Sequence, residues 1–350
     1  MLIALACGLD RLVGDPRWCP HPVVVMGWWI SLLRRGAEAW AGTRARKLRL
    51  AGGLITLVLV GGSGLAGWAV ERLALAFPAL GLPLLVVALA SALAGRSLEQ
   101  AVGGVLKALP NSVQAVQKQA GQNQADHAGD KSIQEDLQPA RRALAWIVGR
   151  DTADLDAPEI LRGAAETAGE NAVDGLYAPL FWMLVGAGIW SLNPALPGPL
   201  ALAWGFKAAS TLDSMLGYRR GRLRWLGTAG ARLDDLLVWL PCRLVAVSLP
   251  LAAGQPDRCL GVLAAARRDG DADPSPNAGL SQAAYAHVSG VQLGGSNSYG
   301  GQISSKPLLG AGLPAPDQTA VLQMLQLNWR LELIWLTAAA AGAFITKTLS

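Results

Sequence analysis

The feature that most constrains this chain is a run of 21 residues without a charged side chain, at 50–70. An α-helix rises about 1.5 Å per residue and the hydrocarbon core of a bilayer is about 30 Å thick, so this run is long enough to cross a membrane. A second uncharged run, 73–94, follows after only Glu71 and Arg72. The two runs together predict a pair of membrane-spanning helices.

Further apolar stretches extend this pattern. Residues 176–206 form an uncharged run that is too long for one ordinary span. Pro-rich steps around 193–199 interrupt this run. We interpret them as two helices or half-helices. The predicted fold class is therefore all-α: one domain over 1–350, a polytopic integral membrane helical bundle with broken or re-entrant helices and a cytoplasmic polar cap. The predicted spans are 50–70, 73–94, 176–192, 198–216, 236–254 and 331–347.

The composition agrees with a membrane protein and excludes several other classes. Charged residues make up only 16% of the chain and the mean hydropathy is +0.32, whereas a typical soluble domain is about 25% charged. The 13 Trp residues are typical of membrane interfaces. The four Cys have no paired spacing, so neither a disulfide scaffold nor a zinc site is predicted. Basic clusters adjoin apolar runs instead of alternating with aromatic residues, which argues against nucleic-acid binding.

Basic residues are concentrated beside these runs. Residues 1–49 hold eight Lys and Arg against three acidic residues, and residues 207–235 hold six against three. By the positive-inside rule both segments, with the polar segment 95–175, are expected on the cytoplasmic side of a bacterial inner membrane. A full crossing by 236–254 would place the next loop outside, so we expect this segment to be re-entrant or tilted within the protein. Its Arg243 either is satisfied within the protein, by a partner or a wet cavity, or snorkels to a helix end.

Polar residues gather in four strings beside the apolar runs. The first string, at 14–22, reads GDPRWCPHP, and its X-Pro steps favour a non-helical backbone. Asp15 and His21 in this string are candidates for a ligand, a base or a phosphate contact. Asp-Pro and His-Pro steps also occur in ordinary turns, so both interpretations stay open.

The second string places Glu166, Glu170 and Asp174 four residues apart, so a helix would present them on roughly one face. Stacked carboxylates repel one another, and a cation such as Mg²⁺ with bound phosphate would remove that repulsion. A solvated acidic face is the alternative, although the string runs directly into a membrane-length apolar segment. Asn171 lies in the same string and is a candidate substrate contact.

The third string runs from Lys207 and Asp213 to Arg232, Asp234 and Asp235. Lys207 could meet a phosphate as a point charge, and Arg232 could hold a carboxylate or phosphate through two hydrogen bonds. Anchoring at the membrane edge is the alternative for the basic residues. The two adjacent aspartates join the candidate metal ligands, and Asp213 is a candidate substrate contact.

The fourth string lies in the polar loop predicted over 255–330. Glycines among small polar residues at 273–279 and 290–300 let backbone N–H groups approach an anion or a polar cofactor edge, although ordinary turns explain part of this composition. No Walker sequence occurs, and the G-x-G-x-x-G at 62–67 lies inside a predicted span, where it predicts close helix packing. The candidate substrate contacts here are Ser275, Asn277, Gln292, Asn297 and Ser298.

In this order the strings resemble the CbiB/CobD family of membrane proteins in cobalamin biosynthesis, the adenosylcobinamide-phosphate synthases. The resemblance covers nearly the whole chain. It rests on GDPRWCPHPVVVMGWWI at 14–30, IVGRDT at 147–152, ETAGENAVDGLYAPLFW at 166–182, KAASTLDSMLGY at 207–218, ARLDDLLVWLPCRL at 231–244, DPSPNAG at 273–279 and GVQLGGSNSYGG at 290–301.

The resemblance implies an ATP-dependent amide ligase. Such an enzyme joins the amino group of (R)-1-amino-2-propanol, or of its O-phosphate, to the f propionate of adenosylcobyric acid. Mg²⁺ is then the implied cofactor and ATP the implied cosubstrate. The implied partners are the corrinoid, the amine and the lipid bilayer. Contact with other cobalamin-assembly enzymes stays open. From their residue types, the ligands expected to hold Mg²⁺-ATP are Glu166, Glu170, Asp174 and either Asp234 or Asp235. Lys207 and Arg232 are expected to neutralise phosphate, and Asp15 or His21 to act near the amine. Residues 290–301 are expected to lie against the corrinoid rim.

The sequence departs from the family at one place and leaves two other functions open. Ala272 and Asp273 stand where the family usually has a basic pair before PSPN, which weakens the case for a phosphate contact from this loop. One alternative is a non-catalytic signalling protein of the AmpE type, against which the retained PSPNAG and QLGGSNSYGG strings argue. The other is a small transporter or channel, and the scarcity of charges inside the predicted spans argues against it.

Overall fold

The structure is a computed structural model that describes residues 1–15, 21–110 and 137–349. The chain divides into two compact units: residues 1–96 with 174–241, and residues 97–173 with 242–350. Cys7, Cys242 and Cys259 form no disulfide with one another, and Cys19 lies outside the described residues.

The described chain is almost entirely helical, with one hairpin of two strands. A π-helical turn at Val173–Tyr177 follows α7 directly. In chain order the elements are α1 (Leu2–Val13), α2 (Pro22–Ala41), α3 (Ala45–Ala76), α4 (Pro78–Ala90), α5 (Gly95–Lys107), α6 (Gln138–Ala145), α7 (Ala157–Ala172), α8 (Ala178–Leu192), α9 (Pro199–Leu216), α10 (Leu223–Leu226), α11 (Thr228–Ala252), α12 (Cys259–Gly270), α13 (Ala278–Ser289), β1 (Leu293–Tyr299), β2 (Gln302–Leu309) and α14 (Gln318–Leu349).

Four helical stretches among the described residues are long and apolar enough to cross a membrane: Ala45–Ala76, Pro78–Lys107, Ala157–Leu192 and Thr228–Ala252. The predicted fold class, all-α and membrane-spanning, is therefore confirmed. The predicted spans at 50–70, 73–94, 176–192 and 236–254 overlap these stretches. Those at 198–216 and 331–347 also form helices, α9 and part of α14, but neither is among the four, and their crossing of the membrane stays a prediction.

In the first unit α3 packs against α2, α4, α9 and α10. A core of aliphatic side chains fills the junction of α2, α3, α9 and α10. Small residues allow the closest approach: a Cβ on Gly67 would lie 2.8 Å from the Cα of Ala201. The predicted packing role is therefore confirmed for Gly67, whereas a Cβ on Gly64 would lie 3.5 Å from the Ala201 carbonyl oxygen and one on Gly62 would meet nothing within 4 Å. The core residues include Ile30, Leu48, Ile55, Leu59, Leu212, Leu216 and Leu226.

A buried carboxylate connects α3 to the start of α9. The Pro-rich break predicted in 176–206 is confirmed, since α8 ends at Leu192 and α9 begins at Pro199. The first N–H groups of a helix have no partner within the helix. Here the Glu71 carboxylate accepts hydrogen bonds from three N–H groups at this end: Gly198 at 2.8 Å, Leu200 at 2.6 Å and Ala201 at 3.2 Å.

In the second unit α7 packs against α6, α13 and α14, and α12 packs against α13. Asp156 begins α7 with a capping box, in which its side chain accepts from the Glu159 N–H and the Glu159 side chain accepts from the Asp156 N–H. A buried polar chain joins the three helices: Tyr285 donates to the Asn328 side chain, which donates to the Ala168 carbonyl at 3.1 Å.

The Gly-rich stretch predicted as part of a polar loop folds into the antiparallel hairpin β1–β2. Gly300 and Gly301 connect the strands with φ of 59° and 78°. Two consecutive residues with positive φ form the turn that suits the twist of a hairpin, and glycine adopts this conformation without steric cost. The same composition that indicated a polar loop therefore supports a two-residue hairpin turn.

Candidate functional site

In the first unit, the carboxylates of four aspartates interact electrostatically with the ammonium group of Lys207, which lies near the middle of α9. Asp174 lies in the π-helical turn and Asp234 in α11. Asp10 lies near the end of α1, and Asp15 lies two residues beyond the last residue of that helix. π-helical turns are rare and are frequent at functional sites. These five residues are called the Lys207 cluster below.

Asp10 is the most buried carboxylate of the Lys207 cluster, with only 3% of its surface exposed. Its Oδ2 accepts hydrogen bonds from the N–H groups of Gly95 at 3.0 Å and Arg96 at 3.3 Å. Its Oδ1 is buried and accepts no hydrogen bond from the described residues, and the same holds for the Oδ1 of Asp234. Burial, and to a lesser extent the charge of Asp15, raises the pKa of Asp10 to about 6.

The two predicted residues of the first string lie together. His21 Nε2 is 3.1 Å from Asp15 Oδ1, and His21 Nδ1 accepts a hydrogen bond from the Val23 N–H at the start of α2. The imidazole is thus held from both sides. Residues 16–20, which complete this string, lie outside the described residues.

Two further aspartates of the third string adjoin the Lys207 cluster. Asp213 and Asp235 repel each other, and both also repel the carboxylate of Asp234. Arg232 lies on α11 with an exposed side chain. The first unit therefore gathers acidic side chains from α1, α9, α11 and the π-helical turn.

The second unit contains a separate network around Glu166. Arg150 donates to Glu166 Oε2 at 2.7 Å, the Gly294 N–H donates to Glu166 Oε1 at 3.0 Å, and Arg150 also donates to the Asn297 side chain. Arg162 donates to the Gly294 carbonyl and to Asn297 Oδ1 at 3.3 Å. These contacts hold strand β1 against α7.

A second ion pair lies near the other predicted carboxylate of α7. Gln282 donates a hydrogen bond to Glu170, and Lys306 Nζ is 3.2 Å from Asp273 Oδ2. Burial alone would lower the pKa of Lys306, but the carboxylates of Glu170 and Asp273 outweigh it and the pKa lies above its ordinary value. Asp273 stands where a basic residue was expected, and Lys306 from β2 brings a positive charge to this place.

The loop that contains PSPN is ordered by its own polar side chains. Ser275 Oγ accepts from the Asn277 N–H at 3.3 Å, and Asp273 Oδ1 accepts from the Ser275 N–H at 2.9 Å. Arg243 donates to Asn277 Oδ1 at 2.8 Å and to the Pro276 carbonyl at 3.1 Å. Of the two alternatives for Arg243, the structure therefore shows the paired one.

The tip of the hairpin is held by Asp151. Its carboxylate accepts from Ser298 Oγ at 2.6 Å and from the N–H groups of Gly300 at 3.0 Å and Gly301 at 2.8 Å. These hydrogen bonds, led by that of Gly301, lower the pKa of Asp151. Gln292, before the hairpin, accepts a hydrogen bond from the Gly312 N–H at 3.2 Å.

Comparison with known proteins assigns the chain to a family. A family model described as CobD/Cbib protein matches residues 3–127 and 120–328, which is most of the chain. The chain belongs to the CobD/CbiB family. Its resemblance to this family, inferred from the motifs, is confirmed.

Relatives within the CobD/CbiB family match over nearly their whole length. "Cobalamin biosynthesis protein CobD" of Geobacter metallireducens is 37% identical over 99% of this chain and 98% of its own length. The CobD of Synechocystis is 40% identical over 87% of this chain and 80% of its own length, and "Cobalamin biosynthesis protein CbiB" of Salmonella typhimurium is 35% identical over 97% and 96%. No solved structure matches the chain.

In this CobD/CbiB chain the predicted site residues belong to two groups. Asp15, His21, Asp174, Lys207, Asp213, Arg232, Asp234 and Asp235 belong to the first unit, and Glu166, Glu170, Asn171, Ser275, Asn277, Gln292, Asn297 and Ser298 belong to the second. Asn171 is exposed, as is Arg232. No group of three or more His, Cys, Asp or Glu within residues 1–15, 21–110 and 137–349 is arranged to hold a metal ion, and the assignment of carboxylates to Mg²⁺ stays a prediction.

Sequence reasoning missed four side chains of these clusters: Asp10, Arg162, Gln282 and Lys306. Asp10 carried a usable signal, since it is a carboxylate at the end of an apolar run, four residues before the first polar string. Arg162 and Gln282 lie more than a hundred residues from Gly294 and Glu170, which they contact, and Lys306 lies in β2, 33 residues from Asp273, so none of the three gave a local signal.

Proposed function

We propose that this protein is a membrane-bound enzyme of cobalamin biosynthesis that joins an amine to a corrinoid carboxylate with the help of ATP. The amine is (R)-1-amino-2-propanol or its O-phosphate, and the carboxylate is the f propionate of adenosylcobyric acid. The observation that carries this proposal is family membership over nearly the whole chain, because relatives named for cobalamin biosynthesis match 97–99% of it. The strings that carry the resemblance also contain most of the residues of the two polar clusters.

The chemistry needs a group that activates the corrinoid carboxylate. A carboxylate acylates amines poorly, and phosphoryl transfer from ATP would give it a better leaving group. Mg²⁺, when bound, neutralises phosphate charge in such a transfer. It usually binds through one or two protein carboxylates with phosphates and water, so a cluster of three carboxylates is not required.

Among the predicted metal ligands, Asp174 and Asp234 fit this demand best. The charges of both interact with that of Lys207, and within the described part of the chain Asp234 Oδ1 is buried and accepts no hydrogen bond. Asp235 adds negative charge beside Asp234. Glu166 differs, since Arg150 and the Gly294 N–H occupy both of its oxygens, which supports a positioning role for it.

The remaining residues suit binding and orientation. Lys207 would neutralise a phosphate group, with Arg232 as a second cation at the exposed surface of α11. The Asp15–His21 pair would receive a proton as the amine becomes neutral for attack. The hairpin would lie against the amide-rich corrinoid rim, with Asn297 and Ser298 already engaged in holding its shape.

The membrane setting is part of the proposal. We infer that the protein lies in the bacterial cell membrane with both polar clusters on the cytoplasmic side, where ATP is available. The basic segments 1–49 and 207–235 support this orientation by the positive-inside rule.

The direct test uses purified protein in detergent. With adenosylcobyric acid, aminopropanol phosphate and Mg²⁺-ATP, ADP should be released in step with the amide product. Asp174→Asn and Asp234→Asn should lower kcat by about 100-fold or more, because each removes a charge that acts in phosphoryl transfer. Asp257→Asn, which changes an exposed aspartate, is the matched control. Near-normal turnover in both variants would contradict the Mg²⁺ assignment.

A growth test separates the enzyme from the signalling alternative. A synthase-deficient host that expresses this chain should grow with cobyric acid as the sole corrinoid. Failure to grow, with the protein present in the membrane and no ADP release in detergent, would overturn the ligase proposal and favour a non-catalytic protein.

A further inference from the structure

The second unit contains a polar cavity that shares no lining residue with the clusters described above. Its volume is about 430 Å³, within the range of about 300–1,000 Å³ that small-ligand pockets occupy. It lies beside the segment that follows α11, the last turn of α13 and the first half of α14. We call it the α14 cavity. Its polar lining residues are Gln255, Ser289, Gln323, Gln326 and Arg330.

The α14 cavity has a single charged side chain in its lining, Arg330, and no acidic one. Within the described part of the chain, Arg330 forms no ion pair with a carboxylate. Gln323 and Gln326 lie three and seven residues before it in sequence terms that place all three on one face of α14. The cavity therefore carries a positive charge beside amide groups, an arrangement that attracts an anion.

A buried hydroxyl group adds a second, independent observation. Ser289 Oγ is inaccessible to solvent and forms no hydrogen bond with the residues that the structure describes. Buried polar atoms without partners are uncommon in folded proteins, so this one needs an explanation such as a missing ligand. Gln255 also lines the cavity, and its Oε1 accepts from Arg258 at 2.6 Å, which leaves its NH₂ group as a donor.

The helix ends beside the cavity do not reverse its charge. Carbonyls at the C-terminus of a helix favour cations. At the end of α11, however, the carbonyls of residues 249–251 accept hydrogen bonds from the N–H groups of residues 253–255. At the end of α13 the carbonyls of Ala286 and His287 also accept hydrogen bonds. Because these carbonyls are engaged, Arg330 determines the sign of the charge in the cavity.

Two boundaries place the cavity at the edge of the apolar segments. Ala253, which lines it, directly follows the membrane-length helix Thr228–Ala252. Arg330 directly precedes the predicted span 331–347. The edge of a span is the level of lipid phosphate groups, and it is also open to phosphate compounds dissolved in water.

We infer that the α14 cavity binds a phosphate group, with Arg330 as its cation and Ser289 as its buried hydrogen-bond donor. Phosphate suits this lining better than a carboxylate does, because donors come from α13, α14 and the segment after α11, and a phosphate group offers three or more acceptor oxygens. The guanidinium group also matches phosphate geometry through two hydrogen bonds. This inference does not depend on the proposed function, which assigns no role to these residues.

The first test measures binding of inorganic phosphate to the full-length protein in detergent by equilibrium dialysis, without substrates. Arg330→Gln should raise the Kd about 10- to 100-fold, the range that loss of a charged hydrogen bond produces, and Ser289→Ala about 3- to 10-fold. Arg142→Gln, which changes an exposed arginine of α6, is the matched control and should bind like the wild type. Phosphate held at Lys207 would be counted in every variant, so Arg330→Gln should differ from the wild type by one phosphate per chain.

Stability measurements accompany the binding data. Ser289→Ala removes a buried hydroxyl group that forms no hydrogen bond within the described residues, so without phosphate its unfolding temperature should not fall below that of the wild type. Saturating phosphate should raise the unfolding temperature of the wild type and of Arg142→Gln more than that of Arg330→Gln.

A second arm distinguishes the two sources of the phosphate group. Native mass spectrometry counts the molecules of dioleoylphosphatidylglycerol bound per chain, with dioleoylglycerol, which lacks the phosphate, as the control lipid. If the headgroup occupies the cavity, Arg330→Gln should lose one phosphatidylglycerol and no dioleoylglycerol, and inorganic phosphate should displace that lipid. If a soluble phosphate compound occupies it, only inorganic phosphate binding should depend on Arg330.

Either of these results supports the phosphate site. The inference is overturned if Arg330→Gln and Ser289→Ala bind both inorganic phosphate and phosphatidylglycerol as the wild type does, or if the wild type binds neither. It is also overturned if Arg142→Gln loses as much affinity as Arg330→Gln, since the effect would then come from net charge rather than from the cavity.

Discussion

Glu71→Ala should be among the most destabilising single substitutions in the first unit. The Glu71 carboxylate accepts three backbone hydrogen bonds at the start of α9, and its side chain is fully buried in α3. Truncation leaves three N–H groups without an acceptor. Each orphaned buried donor costs about 1–3 kcal/mol, and the three share the two oxygens of one carboxylate, so we expect a loss of about 3–6 kcal/mol in the free energy of unfolding.

Glu71→Gln and Glu38→Ala provide the comparison. Gln keeps one acceptor oxygen, presents an NH₂ group where an acceptor is needed and removes the charge that favours a helix N-terminus, so about half of the loss is expected. Glu38 pairs with Arg34 four residues earlier at 2.8 Å, and partly exposed pairs of this kind contribute about 1 kcal/mol or less.

Unfolding in mixed micelles, titrated with SDS and followed by circular dichroism, measures these differences. Limited proteolysis of the segment between α8 and α9 should accelerate in Glu71→Ala and not in Glu38→Ala. A free energy of unfolding for Glu71→Ala within about 1 kcal/mol of the wild type would refute the reasoning, since the three hydrogen bonds would then contribute nothing to the join between α3 and α9.

Three further predictions follow from single contacts. Arg150→Ala should destabilise the second unit by about 3–5 kcal/mol in the same SDS titration, because Glu166 stays buried without its partner; an unchanged midpoint would contradict this. Asp151→Ala should make the hairpin tip more protease-sensitive around Ser298 with little change in global stability, whereas equal cleavage rates would count against its role as a clamp. Burial raises the pKa of Asp10 from an ordinary 3.8 to about 6. Between about pH 4 and 6, Asp10 is therefore protonated in the folded protein and ionised in the unfolded chain. Stability should therefore fall by about 3 kcal/mol as the pH rises through that window, and Asp10→Asn should remove this dependence; the same slope in the variant would refute the assignment.

Some candidate site residues could be named from the sequence because their signal is local. The spacing of Glu166, Glu170 and Asp174 is visible in nine consecutive residues, and a polar string beside a membrane-length run is unusual in any chain. The stretch at 290–300 is a candidate on a different local signal, glycines that alternate with small polar residues. Its hairpin was not foreseen, because Gly-rich composition suits both a loop and a two-residue turn, and only pairing with β2 distinguishes them.

Other contacts depend on residues far apart in the chain. Lys306 neutralises Asp273, which departs from the family pattern, and Asn277 binds Arg243, for which the sequence left two alternatives. Nothing near either member indicates its partner. Local composition cannot indicate such pairs, because the two side chains come into contact only after the helices and strands pack.

The sequence alone determined where the chain can cross a membrane, where its helices break and which family it belongs to, because run length, proline and ordered motifs are properties of neighbouring residues. The tertiary structure decided which charges meet. Glu71 accepts from three N–H groups at the start of α9, both oxygens of Glu166 are engaged, and Asp10 Oδ1 accepts no hydrogen bond from the residues that the structure describes. The physical reason is that hydrogen-bond satisfaction is settled by packing, so a carboxylate with every oxygen engaged and one with an oxygen to spare look the same in a sequence.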